Sequence, residues 1–194
     1  MKWTCPSRKS ICIGLVIFFV GGVSYGGLNT FFSYTNRTDF CVSCHSMQKN
    51  YEEYKETLHY KNAAGIQATC ADCHVPKAFL PKLHAKVMAA KDVYHEIVGT
   101  VDTAEKFEAR RWEMANHVWD KMRASDSREC RSCHDYGNMD MSEQDRMARK
   151  KHTRAPLNGK TCIDCHSGVA HTEPLEPFEG EDETAEAQDS TDQG

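Results

Sequence analysis

Cys41-Val-Ser-Cys44-His45 is the first of four pentapeptides of one form; Cys70-Ala-Asp-Cys73-His74, Cys130-Arg-Ser-Cys133-His134 and Cys162-Ile-Asp-Cys165-His166 follow it. At about 5 % Cys and 5 % His, chance supplies on the order of 0.03 copies of C-x-x-C-H in a chain this long. The spacing has a chemical reason. Two thiols so placed reach the two vinyl groups of one porphyrin as thioethers, and the adjacent imidazole turns beneath the ring to bind its iron. A zinc ribbon would use the thiol pairs, but it has no need of His after every second Cys. Disulfides suit an oxidising compartment, yet neighbouring C-x-x-C cysteines usually mark redox or metal chemistry instead. The expectation is four covalently bound heme c groups on Cys41, Cys44, Cys70, Cys73, Cys130, Cys133, Cys162 and Cys165, with His74, His134 and His166 binding iron in their own motifs.

The motifs start at Cys41, Cys70, Cys130 and Cys162, two close pairs with a wide gap between them, which reads as an internal repeat of two diheme halves joined by a longer segment. An iron with two axial imidazoles needs a second His. His59 precedes Cys70 by almost the same stretch of chain as His152 precedes Cys162, so the repeat makes them equivalent candidates. His171 closely follows His166 and is near enough to reach a neighbouring heme; the matching position in the first half is Phe79. After the first motif comes Met47, so either His45 or Met47 can bind the first iron, and a thioether there would raise its potential. His84, His95 and His117 read as exposed or supporting residues.

Outside the motifs, an unbroken run of uncharged residues separates Lys9 from Arg37, and Ile11–Phe32 is long enough to cross a hydrocarbon layer of about 30 Å as a helix. Lys2, Arg8 and Lys9 precede it, so residues 1–10 should stay in the cytoplasm of a bacterium. Residues 33–172 then form a periplasmic domain, held by a single pass through the inner membrane. No A-x-A site follows the apolar run, so the anchor is read as uncleaved. Phe31, Phe32 and Tyr34 suit the outer lipid interface, and Gly22 with Gly26 offers a small-residue face for a homodimer. Cys5 and Cys12 receive no role.

At the other end, residues 173–194 carry nine acids and no base; with a net charge of −4 for the whole chain, the segment 1–172 sums to −4 + 9 = +5. The acidic segment lacks apolar periodicity and is expected to be disordered, able to steer a basic partner. Such an ending argues against nucleic-acid binding, and 194 residues exclude a large α/β enzyme. Helical character runs from Leu83 to Val98, with His84, Lys86, Lys91, Asp92, His95 and Glu96 as ionisable groups, and again over 101–124. No strand pattern stands out, so the fold class is mainly α, a transmembrane helix followed by a small heme-dominated domain.

On the anchor, the four motifs in order, His59-Tyr-Lys-Asn, Cys73-His74-Val75-Pro76 and Cys162-Ile-Asp-Cys165-His166-Ser-Gly-Val-Ala-His171, the chain resembles the NapC/NirT family of membrane-anchored tetraheme cytochromes c to about residue 172. The resemblance implies a quinol dehydrogenase that oxidises membrane menaquinol or ubiquinol and delivers electrons to a periplasmic nitrate or nitrite reductase in anaerobic respiration. It also implies that Met47 rather than His45 binds the first iron, that His59, His152 and His171 are distal ligands, that Lys86 hydrogen-bonds quinol, and that Asp92 lies on the open side of that heme. Many family members have His after Val-Pro where this chain has Lys77. The competing readings are a tethered carrier without a quinol site and a terminal multiheme reductase.

Overall fold

The computed structural model describes residues 7–177, leaving Lys2, Cys5 and most of the acidic segment outside the described residues. Helix α1 (Arg8–Thr35) opens on Ser7, whose hydroxyl accepts the Ser10 N–H. At 28 residues with mean hydropathy 2.1 it is long and apolar enough to cross a membrane, and it exceeds the apolar run by three residues at each end. A helix of that length spans about 42 Å, so both ends extend past the hydrocarbon layer.

Among the described residues seven further helices follow: α2 (Thr38–Cys41), α3 (Met47–Lys55), α4 (Cys70–His74), α5 (Phe79–Ile97), α6 (Ala104–Ala124), α7 (Arg128–Arg131) and α8 (Arg146–Arg154). Short 3₁₀ turns lie at Tyr136–Asn138, Pro156–Asn158 and Cys162–Asp164. There is no strand among the described residues. Gly99 ends α5 with φ of 78°, a left-handed conformation that lets the Thr100 N–H reach back to the His95 carbonyl. The chain then enters α6, capped by the Thr103 hydroxyl.

The buried apolar side chains among the described residues are Phe32, Tyr54, Pro76, Phe107 and Ile163. So small a set cannot by itself hold the domain from 33 to 172 together, and the packing is carried largely by specific polar ties. Arg111 of α6 is buried and forms an ion pair with Glu53 of α3; the same guanidinium donates to the Thr172 carbonyl at 3.1 Å, while the Thr172 N–H donates to Glu53 at 2.9 Å. Burial alone would raise the Glu53 carboxyl, but the Arg111 guanidinium and the Thr172 N–H outweigh it and hold Glu53 below its ordinary value. A second tie is Ser127, fully buried with φ of 48°, whose hydroxyl accepts the Ile163 N–H at 3.2 Å and so joins the third motif to the fourth.

Glu53→Ala leaves the Arg111 charge buried without its carboxylate and should cost about 3–5 kcal/mol, read from denaturant unfolding followed by circular dichroism. Because the folded Glu53 titrates below its ordinary value, the stabilisation is complete above the unfolded carboxyl pKa of about 4.3 and is lost as pH falls through the folded value. Wild-type protein should therefore lose more stability in acid than the variant; equal acid slopes would contradict the assignment.

Candidate functional site

Motifs two and four begin alike. Thr69 and Asp72 form a reciprocal capping box around Cys70, and Thr161 with Asp164 forms the same box around Cys162. Each Thr hydroxyl meets its Asp carboxylate, at 2.7 Å and 3.1 Å, and the box fixes the turn on which the two thiols and the imidazole are displayed. The pattern Thr-Cys-x-Asp-Cys-His carries this signal, which the reading of the motifs as heme sites alone did not use. Asp164 also accepts from Arg123 of α6 at 3.1 Å, which seats the fourth motif on that helix.

The motifs adjoin one another in chain order. Helix α2 packs on α4 and α4 on α7. Cys70 hydrogen-bonds Thr38 of α2 at 4.0 Å and lies beside Cys41, Cys73 lies near Cys130, and Cys130 near Cys162. Among the described residues no three His, Cys, Asp or Glu side chains gather as around a structural zinc.

Instead the imidazoles come in twos. His74 and His171 have ring centroids 6.3 Å apart, His59 and His134 6.1 Å, and His152 and His166 6.0 Å. Two imidazoles bound at about 2 Å on opposite sides of one metal ion place their centroids about 6 Å apart. The donor set therefore fits iron held between paired imidazoles. His59, His74, His134, His152, His166 and His171 all enter these pairs, but the two residues that the repeat makes equivalent do so differently. His59 meets a motif of the other half, whereas His152 meets the motif of its own half.

Neighbouring groups set the orientation of the second ring in each pair. The His171 Nδ1 lies 3.1 Å from the Asn50 carbonyl, which can only accept, so Nδ1 carries the proton and Nε2 keeps the lone pair. His152 Nδ1 meets the Gln144 side-chain oxygen at 2.7 Å in the same way. Tyr54 donates from its hydroxyl to the His59 carbonyl at 3.2 Å and also to that of Ala68, which shapes the loop bearing His59. Desolvation by the surrounding chain, with His171 alongside, pushes the His74 pKa down to about 4. A neutral imidazole is the form that binds metal.

The first motif differs. Among the described residues no ring is paired with His45, which is exposed and lies near Asp102 and Glu105, while Met47 is half-buried at the start of α3. Helix α5 is tied alongside this motif at two points. Lys86 Nζ donates to the Thr35 carbonyl at the end of α1, at 2.9 Å, and lies close to Cys41; desolvation lowers its pKa. Further along the helix, Glu96 accepts from the buried Ser46 hydroxyl at 2.6 Å. Asp92 lies between these points, exposed, and about 120° around the helix from Lys86. Next to Thr35, the Asn36 side-chain oxygen is buried with no hydrogen-bond partner among the described residues, an acceptor that no sequence pattern singles out. His84 and Lys77 are exposed, and His95 bonds Thr100.

Residues 5–176 match the NapC/NirT cytochrome c family, N-terminal region. This chain belongs to that family. It is 62 % identical over 176 residues to a protein of Allochromatium vinosum described as a putative tetraheme cytochrome-c type, covering 88 % of this chain and 94 % of the relative. Against the denitrification system component NirT of Stutzerimonas stutzeri, identity is 50 % over 172 residues, with 87 % and 86 % covered. Against the cytochrome c-type protein NapC of Escherichia coli it is 46 % over 174 residues, with 89 % and 87 % covered. A solved structure of the cytochrome c nitrite reductase NrfHA complex bound to the HQNO inhibitor aligns with a TM-score of 0.48 and 26 % identity, over 85 % of this chain and 93 % of that one. As a NapC/NirT cytochrome the chain is an electron-transfer protein with covalently bound heme c.

Mass spectrometry of the mature NapC/NirT cytochrome should show four heme additions that survive acid–acetone extraction, because thioethers resist it. Fewer than four would mean that at least one C-x-x-C-H unit is not an attachment site.

Proposed function

We propose that this cytochrome oxidises membrane quinol at the outer face of the inner membrane and relays the electrons to a soluble periplasmic reductase of the nitrate or nitrite type. The observation that carries the reading is the bond from Lys86 to the last carbonyl of the membrane helix, beside Cys41. It puts a cationic donor, the end of the bilayer-spanning segment and the first attachment site in one place, where a lipid-soluble reductant can meet a carrier.

Bound through its thioethers, each heme supplies a one-electron carrier. The chain's own groups do the rest. Lys86 spends one of its three N–H donors on Thr35 and keeps two for a quinol oxygen. The unpaired Asn36 oxygen is placed one residue away to accept a quinol hydroxyl. Asp92, exposed about 9 Å further along the helix axis, is the group we assign to carry protons to water. Met47 binds the first iron, and the assigned pairs are His74 with His171, His134 with His59, and His166 with His152. The basic start of the chain keeps residues 1–10 cytoplasmic and the domain periplasmic. A second copy would approach along Gly22 and Gly26, where an added Cβ meets nothing within 4 Å.

Lys86→Leu and Asp92→Leu should each slow heme reduction by a quinol analogue at least about tenfold, the usual scale of a lost acid–base or binding group, while reduction by dithionite is spared. Wild-type quinol rates in both variants would place the site elsewhere. Met47→Leu should shift the spectrum of one heme, and His45→Ala should leave that heme nearly unchanged; four identical bis-His spectra in the wild type would contradict the ligand assignment.

A further inference from the structure

We propose that residues 178–194 of this chain bind the basic outer face of α8, as an internal occupant that an acidic docking partner must displace. Helix α8 carries Arg146, Arg149, Lys150, Lys151 and Arg154 within its single short span, all exposed. None of the five has an ion-pair partner among the described residues. Arg146, Lys150 and Arg154 follow one another at i, i+4 and i+8, so like charges stack along one side of the helix, an arrangement unfavourable without counter-charge.

The nearby acids are committed elsewhere or stand off the helix. Asp145 caps α8 by accepting the Met147 and Ala148 N–H groups at 2.8 and 2.9 Å, Asp140 accepts from Ser142, and Asp164 serves Arg123 and Lys160. Glu143 is exposed ahead of the cap. The inner side of α8 holds His152 against His166, and Lys150 lies about 160° around the helix from His152. Arg146, Lys150 and Arg154 therefore mark the outward side of the helix that holds the last motif, with Arg149 and Lys151 on its flanks.

The proposed occupant has matching chemistry. Residues 178–194 hold seven acids, no base and no His, and they lie beyond the part of the chain that matches the family. Reach is sufficient: Pro177 is separated from His166 by at most about 40 Å of extended chain, and the segment beyond it extends to about 60 Å. Covalent linkage raises the local concentration of the acids to the millimolar range, and opposite charges within a Debye length of about 8 Å attract strongly. A docking protein with an acidic face would compete for the same five cations.

The test uses the full-length holoprotein and a zero-length carbodiimide cross-linker. Lys150 or Lys151 should link to carboxylates between Glu179 and Asp192, within one chain, in preference to Lys61, Lys77 or Lys91, and the links should vanish at about 0.5 M salt. As a second measurement, protein ending at Pro177 should bind poly-L-glutamate about tenfold more tightly than the full chain at low salt, and Lys150→Glu with Lys151→Glu in the shortened protein should abolish that gain. Links from these acids to other lysines, links between isotopically distinct copies, or equal polyglutamate affinity of the two lengths would each overturn the proposal.

Discussion

Two imidazoles must stand about 6 Å apart for one iron to sit between them, and the proposed ligand pairs of this domain meet that distance three times. His74 and His171 come from opposite halves of the repeat, as do His59 and His134, so the two halves are laced through one another. Only His152 and His166 are local. The buried Arg111–Glu53 pair then acquires a clear purpose: by holding Thr172 it fixes the residue next to His171, and Asn50, one helical turn before Glu53, sets which nitrogen of that imidazole is free. A small apolar core suffices because its work is shared by such ties and by the groups held covalently.

The four C-x-x-C-H motifs stand out in the sequence because heme attachment demands contiguous residues at fixed spacing, and the membrane helix because the uncharged run from Lys9 to Arg37 leaves no alternative period. Helices α5 and α6 fell close to their expected spans, since Gly99 and Thr103 punctuate them in the usual way. The pairing of imidazoles was not legible. Equivalence under the repeat set His59 beside His152, but equivalence concerns position along the chain, whereas pairing is decided by how the halves close on each other. The fourth motif has no successor, so His152 turns back to its own half. The Ser127 and Arg111 ties were hidden for the same reason: their partners, Ile163 in one case and Glu53 and Thr172 in the other, are remote in sequence.

The order of the motifs in space has a functional consequence. The first lies at the end of α1, each later one touches its predecessor, and the last is held by α6 and faces α8. A relay laid out this way separates its two ends by chemistry as well as by distance. At the proposed entrance the partner is dissolved in lipid, and recognition rests on a desolvated Lys86 and an unpaired Asn36 oxygen, groups useful only to a small molecule that brings its own hydrogen-bonding atoms. At the α8 end the proposed partner is a protein in water, and the cations there, once the proposed internal occupant is displaced, present no fixed shape to fit, which favours fast, salt-sensitive encounter over tight binding. A carrier that releases its electrons repeatedly gains from a weak exit complex.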